Sequence, residues 1–123
     1  MKVTIYKSFK FDSAHRLTGV PPDHKCAAMH GHTYELIVYI TGKVDASGMV
    51  IDYADLAAAV EPILRQIDHK VLNDVHGLHN PTTEVLAPWL WRRVAAALPG
   101  HPDMSVEVKE SSTTGCFYPA RRL

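Results

Sequence analysis

Apolar and polar positions alternate through the first segment of the chain. Odd positions from Val3 to Ser13 run Val3, Ile5, Lys7, Phe9, Phe11 and Ser13, the period-two pattern of a strand with one buried face. His15 continues that parity. Thr18 to Met29 breaks the pattern with Gly19, Pro21, Pro22 and Asp23 and reads as a loop that delivers Cys26 towards His30 and His32. Thr33 to Thr41 is rich in aromatic and β-branched residues and reads as a second strand. His30 and His32 stand at its start, in register with Tyr34, Leu36 and Val38.

The period then changes from two to that of a helix. After a turn around Asp45-Ala46-Ser47-Gly48, Asp52 is a candidate N-cap, followed by Leu56, Val60, Ile63, Leu64 and Ile67 at helical spacing. Pro62 removes a backbone donor, so a kink or a helix in two parts is expected. A second helix is expected from about Asn80-Pro81-Thr82-Thr83-Glu84, burying Leu86, Trp89, Leu90, Val94 and Leu98; Pro88 raises the same difficulty. Ser105 to Glu110 and Gly115 to Tyr118 read as two further short strands. Strand, strand, helix, helix, strand, strand is the order of an antiparallel α+β domain, a four-stranded sheet with two helices inserted between the strand pairs. Such a sheet has two open edges, so pairing with further copies is expected, and repeated pairing around a ring would make a barrel.

A chain of 123 residues fits one domain, 1–123. Lys plus Arg and Asp plus Glu each number 13, which leaves no bulk field for nucleic acid or an anionic membrane. A small-molecule pocket with locally placed charge is the expected kind of site. Lysines interrupt the first apolar residues, and no segment approaches the roughly eighteen apolar residues of a membrane span; a cytoplasmic location is expected. Cys26 and Cys116 are too few for a disulfide scaffold and read as free thiols.

The chemistry concentrates around Cys26-Ala27-Ala28-Met29-His30-Gly31-His32. Residues two apart on a strand share a face, so His30 and His32 can hold one ion, with Gly31 expected to keep the gap between them open. With His15, three neutral imidazoles leave a tetrahedral zinc one vacant position, the catalytic arrangement. A nearby cation lowers a thiol's pKa, so Cys26 is a candidate general base or nucleophile. As a fourth ligand it would instead close the site and make it structural. Asp68-His69 follows the first helix; a carboxylate can fix an imidazole's tautomer, and the pair equally suits a helix cap or the surface. Glu110 shares a face with Val106 and Val108, and is either a buried carboxylate needing donors or a solvated strand end. Thr82 and Thr83 can cap the second helix or touch a ligand. Cys116 reads as a small core residue, and His24, His76, His79 and His101 as surface residues.

In order along the chain, Phe11-Asp12-Ser13-Ala14-His15-Arg16-Leu17, His24-Lys25-Cys26-Ala27-Ala28-Met29-His30-Gly31-His32, Ile51-Asp52-Tyr53-Ala54-Asp55-Leu56, Leu72-Asn73-Asp74 after Asp68-His69, Asn80-Pro81-Thr82-Thr83-Glu84 and Val108-Lys109-Glu110 resemble segments of the 6-pyruvoyl-tetrahydropterin synthase family. The three-residue gap from Cys26 to His30 resembles its bacterial QueD branch, the 6-carboxy-5,6,7,8-tetrahydropterin synthases. The resemblance implies a tunnelling fold whose subunits join sheets into a barrel, a homohexamer of two trimers, with active sites between subunits. It implies that His15, His30 and His32 bind Zn2+, that Cys26 abstracts a substrate proton, and that Asp68 and His69 of a neighbouring chain complete the relay. Glu110 would accept hydrogen bonds from the pterin, Thr82 and Thr83 would help hold its ring, and Arg16 and Lys25 are candidates by charge for the triphosphate. The implied reaction, a lyase step towards queuosine, converts 7,8-dihydroneopterin triphosphate and water to 6-carboxytetrahydropterin, acetaldehyde and triphosphate. The alternatives are a pyruvoyl-forming, triphosphate-eliminating lyase and a non-catalytic zinc-binding module.

Overall fold

A computed structural model describes residues 1–121 of the chain. The elements are β1 (Lys2–His15), β2 (His30–Lys43), α1 (Tyr53–Leu64), β3 (Lys70–Val71), α2 (Thr83–Ala97), β4 (Met104–Lys109) and β5 (Gly115–Tyr118), with short 3-10 turns at Lys25–Ala27 and Leu72–Asp74. The strands form one sheet in the order β3-β1-β2-β4-β5. β1 pairs β3 in parallel, and the other neighbours are antiparallel. One face of the sheet buries Phe9, Phe11, Tyr34, Leu36, Val38, Ile40, Val106 and Val108 with α1 and α2, which contribute Leu56, Val60, Ile63, Leu86, Trp89, Leu90 and Val94.

The sheet has five strands where the sequence led us to four. The additional strand, β3, is two residues long, too short for any periodicity to reveal. Tertiary contacts make it: His69 N–H donates to the Asp12 carbonyl at 2.6 Å, and the buried Ser13 hydroxyl donates to the Ile67 carbonyl at 2.7 Å. β3 pairs with Ser13 and Ala14, so among the described residues 2–11 of β1 keep an unpaired edge.

The helix starts follow the sequence. Asp52 accepts from Ala54 N–H at 2.8 Å, and the Thr82 hydroxyl accepts from Val85 N–H at 3.2 Å, each satisfying a donor that a helix start leaves without a partner. The expected division of the first helix at Pro62 does not occur. α1 runs through Pro62 and ends at Leu64, and α2 runs through Pro88. A proline inside a helix costs about 3 kcal/mol. Burying Ile63 and Leu64 beside Pro62, or Trp89 and Leu90 beside Pro88, contributes roughly 1.5–3 kcal/mol per large apolar side chain, enough to offset it. Ile67 is buried beyond the end of α1, carried there by a turn in which its N–H donates to the Leu64 carbonyl at 3.0 Å.

Candidate active site

The β1–β2 register sets Ser13 opposite His32 and His15 opposite His30. Strand alternation therefore turns all three imidazoles to the face that carries Phe11 and Tyr34, whose rings stack beneath them at 5.0 Å. One ring nitrogen from each of His15, His30 and His32 falls within a group spanning no more than 4.8 Å. His15 Nδ1 lies 2.7 Å from the Pro81 carbonyl and His30 Nδ1 2.8 Å from the Ala28 carbonyl. A carbonyl only accepts, so both Nδ1 atoms carry protons, which leaves Nε2 as the nitrogen that each ring can offer a metal. These two Nε2 atoms face each other at 3.0 Å, an arrangement that two lone pairs oppose and that a shared proton or a metal ion between them relieves. Nitrogens around a tetrahedral zinc at 2.0–2.1 Å would stand about 3.4 Å apart, so a small adjustment accommodates the ion.

His32 supplies the third position. Its Nε2 is buried without a hydrogen-bond partner, and such an orphan calls for an explanation. Glu110 Oε1 is 3.2 Å away, within ion-pair distance but without hydrogen-bond geometry. An all-nitrogen donor set of this kind fits zinc. Burial pushes the His15 pKa down against the opposing pull of the Pro81 carbonyl, with His30 adding to the lowering; the ring is thereby held in the neutral form a ligand requires. Burial, and secondarily the charge of Glu110, pushes the Tyr34 hydroxyl up, so Tyr34 stays neutral below the cluster. Gly31 does not serve as expected. It alternates to the opposite face and pairs with Ala14, and a Cβ there would meet the Ser13 carbonyl at an ordinary 3.5 Å. The gap between His30 and His32 comes from the strand's period, not from the missing side chain.

Cys26 sits half-buried in the Lys25–Ala27 turn. Its sulfur does not join the imidazole group. Its carbonyl accepts from Leu17 N–H at 2.8 Å, which ties the loop to the end of β1. The adjoining segment is gripped by Asn73, whose amide accepts from Arg16 N–H at 2.9 Å and donates to the Arg16 carbonyl at 2.9 Å. Asn80 accepts from Thr18 N–H at 3.0 Å. Neither asparagine stood out individually in the sequence, because a side chain that mimics a strand partner leaves no periodic signal. Arg16 and Lys25 are exposed beside this loop.

Asp68 and His69 form a second group, with Asp12. Asp12 lies on the face of β1 opposite to Ser13 and His15, and its carboxylate accepts from the Thr33 hydroxyl. Asp68 accepts from Asp12 N–H at 2.9 Å and lies 3.0 Å from His69 Nδ1. The Asp12 N–H, ahead of His69, holds the Asp68 carboxyl below its ordinary pKa. His69 adopts φ 58, a left-handed conformation uncommon outside glycine and found often at functional sites, and it leaves the ring exposed. Asp12, Thr33, His69 and Lys70 border a cleft of about 510 Å³ that His32 also lines. The Asp68–His69 pair and the three imidazoles are thus distinct groups, with the Asp12 side chain on the opposite face of β1 from His15. Glu110 lies with the imidazoles. Thr82 caps α2, and Thr83 is buried with its hydroxyl donating to Glu84 at 2.7 Å. Cys116 packs against the core and donates its thiol to the Thr83 carbonyl at 3.3 Å, with burial pushing its pKa up. His76 and His79 are exposed, while His101 is half-buried where an exposed side chain was expected.

Among the described residues no helix is long and apolar enough to cross a membrane. The family model of 6-pyruvoyl tetrahydropterin synthase matches residues 4–121. A 6-carboxy-5,6,7,8-tetrahydropterin synthase of Synechocystis sp. is 39% identical, covering 97% of this chain and 95% of its own. A dihydroneopterin monophosphate aldolase of Pyrococcus furiosus is 34% identical over 81% of this chain and 82% of its own. The solved 6-pyruvoyl tetrahydropterin synthase of Caenorhabditis elegans superposes with a TM-score of 0.89 at 26% identity, covering 98% of this chain and 97% of that one. The matched span takes in every side chain described above, and the chain belongs to the 6-pyruvoyl tetrahydropterin synthase family.

Proposed function

We propose that the protein is a zinc-dependent 6-carboxy-5,6,7,8-tetrahydropterin synthase, a cytoplasmic lyase of queuosine biosynthesis that converts 7,8-dihydroneopterin triphosphate and water to 6-carboxytetrahydropterin, acetaldehyde and triphosphate. The observation that carries this reading is the pair of imidazoles whose Nδ1 protons are committed to the Pro81 and Ala28 carbonyls, leaving two Nε2 lone pairs converging at 3.0 Å beside the orphaned His32 nitrogen. The Synechocystis relative's name supports the choice of reaction.

Zinc, when bound, supplies Lewis acidity that makes a substrate hydroxyl or carbonyl more acidic and more polarised. His15, His30 and His32 would hold it, the first two oriented by the Pro81 and Ala28 carbonyls. Cys26, tied by its carbonyl to Leu17, takes a proton from the substrate side chain. Glu110 accepts hydrogen bonds from the pterin's N–H edge, and Thr82 and Thr83 bound the ring from the start of α2. Asp68 fixes the tautomer of His69, which moves the second proton. A neighbouring subunit of a homohexamer supplies that pair, joined along the unpaired edge of β1, a reading that the sheet's open edge supports.

Incubation with 7,8-dihydroneopterin triphosphate tests the reading: acetaldehyde is expected in step with 6-carboxytetrahydropterin. The Caenorhabditis structure favours, as a second reading, the pyruvoyl-forming reaction. A pyruvoyl pterin and triphosphate without acetaldehyde would establish that reading instead. The Pyrococcus relative makes dihydroneopterin monophosphate a necessary second substrate in the assay; faster turnover of the monophosphate overturns the assignment. In the non-catalytic reading Cys26 closes the metal site, and Cys26→Ala would then cost zinc and folding together.

A further inference from the structure

His24 is exposed and lay among the histidines with no assigned role, yet its ring makes a specific contact. Cys26 N–H donates to His24 Nδ1 at 3.0 Å, and His24 is the N-cap of the three-residue turn that carries Cys26. The His24 carbonyl also accepts from Ala27 N–H at 2.9 Å, while His24 N–H donates to the Pro21 carbonyl at 2.9 Å. With Leu17 N–H on the Cys26 carbonyl at 2.8 Å, both backbone polar groups of Cys26 are held, one by the end of β1 and one by the His24 ring. A turn this short has no helix or sheet to hold it, so these local bonds set where the sulfur stands relative to the imidazoles.

We infer that His24 is a positioning residue for Cys26, acting through the acceptor nitrogen of its neutral ring. This rests on the proposed reading of Cys26 as the proton-abstracting thiol. The ring does not touch the reacting atoms; it fixes the peptide on which the thiol is mounted. Displacements of about 1 Å in a catalytic group can cost on the order of 100-fold in rate, so a cap that removes part of that freedom has a measurable effect on turnover.

The test compares the zinc-loaded wild-type protein with His24→Ala and His24→Asn, since asparagine is a strong N-cap acceptor without an imidazole. Two readouts are taken. Hydrogen exchange at the Cys26 amide reports the bond itself and does not depend on any reaction; steady-state kinetics with 7,8-dihydroneopterin triphosphate reports its consequence. His24→Ala is expected to speed exchange at the Cys26 amide and to lower kcat about tenfold, short of the full misplacement penalty, with KM and zinc content unchanged. His24→Asn is expected to restore both slow exchange and most of kcat. Unchanged exchange or unchanged kcat in His24→Ala overturns the inference. So does a His24→Asn protein as slow as His24→Ala, which would make the imidazole itself the active group. If wild-type protein forms no acetaldehyde, the proposed function has failed, and the exchange comparison alone decides whether His24 holds Cys26.

Discussion

Neighbouring residues of one strand build two groups of opposite character. Ser13 and His15 face inward, where His15 meets His30 and His32 over the stacked Phe11 and Tyr34. Asp12 faces outward, where it meets Asp68 and the exposed His69. The inward group offers three ring nitrogens, two of them on rings oriented by backbone carbonyls and the third beside Glu110, a donor set that suits zinc. The outward group mixes carboxylates with an imidazole on the surface and suits proton transfer better than metal retention. The difference teaches that one strand can serve two kinds of chemistry by alternation alone, and the proposed reaction brings the two groups to one substrate across a subunit interface.

The largest expected effect falls on the inward group. His30→Ala should lose both stoichiometric zinc and turnover, read by metal analysis beside acetaldehyde release, whereas His69→Ala should keep its zinc. Equal zinc loss in both variants would erase the distinction between the groups. Next is Cys26→Ala, for which zinc content should hold while turnover falls by about 10²–10⁴, the usual contribution of a positioned proton-transfer group. A third experiment asks whether the groups meet across an interface. Co-refolding inactive Cys26→Ala with inactive His69→Ala chains should recover about a quarter of wild-type activity for random assortment around a head-to-tail ring. A mixture that stays inactive would place both groups in the same chain's site.

The smallest effect is on stability against pH. His15 has a lowered folded pKa, from burial first, and Asp68 a lowered one, from the Asp12 N–H first. A group whose folded pKa lies below its unfolded value contributes stability that is complete above the unfolded pKa and is lost as pH falls through the folded one. Chelator-treated protein should therefore begin to lose melting temperature below pH 6.5 through His15 and again below pH 3.8 through Asp68. Asp68→Asn should flatten the second fall and leave the first. The Asp68 part is minor, because its carboxylate is 40% exposed and screened by solvent.

How far the sequence could be read follows from the range of each interaction. Parity alone put Phe9, Phe11, Ser13 and His15 on one face, and the same rule placed Glu110 with Val106 and Val108, where it reaches His32. Asp52 and Thr82 were readable as caps because a cap is local. β3 was not readable, since two residues carry no period and its strand character comes from Asp12 and Ser13 more than fifty positions away. Whether the helices continue through Pro62 and Pro88 was not readable, because a proline registers a local cost while the compensating burial is tertiary. His24 reads as a surface side chain from its polar, proline-rich surroundings and is indeed exposed, but exposure says nothing about a ring nitrogen bonded to the peptide two residues on.

The central claim is an ion held by three imidazoles with Cys26 nearby but unbound. Zinc-edge X-ray absorption of the resting, substrate-free protein tests it most directly. Nitrogen or oxygen scatterers at about 2.0–2.1 Å with no sulfur are expected; a sulfur at about 2.3 Å, or no stoichiometric zinc to measure, would contradict the account.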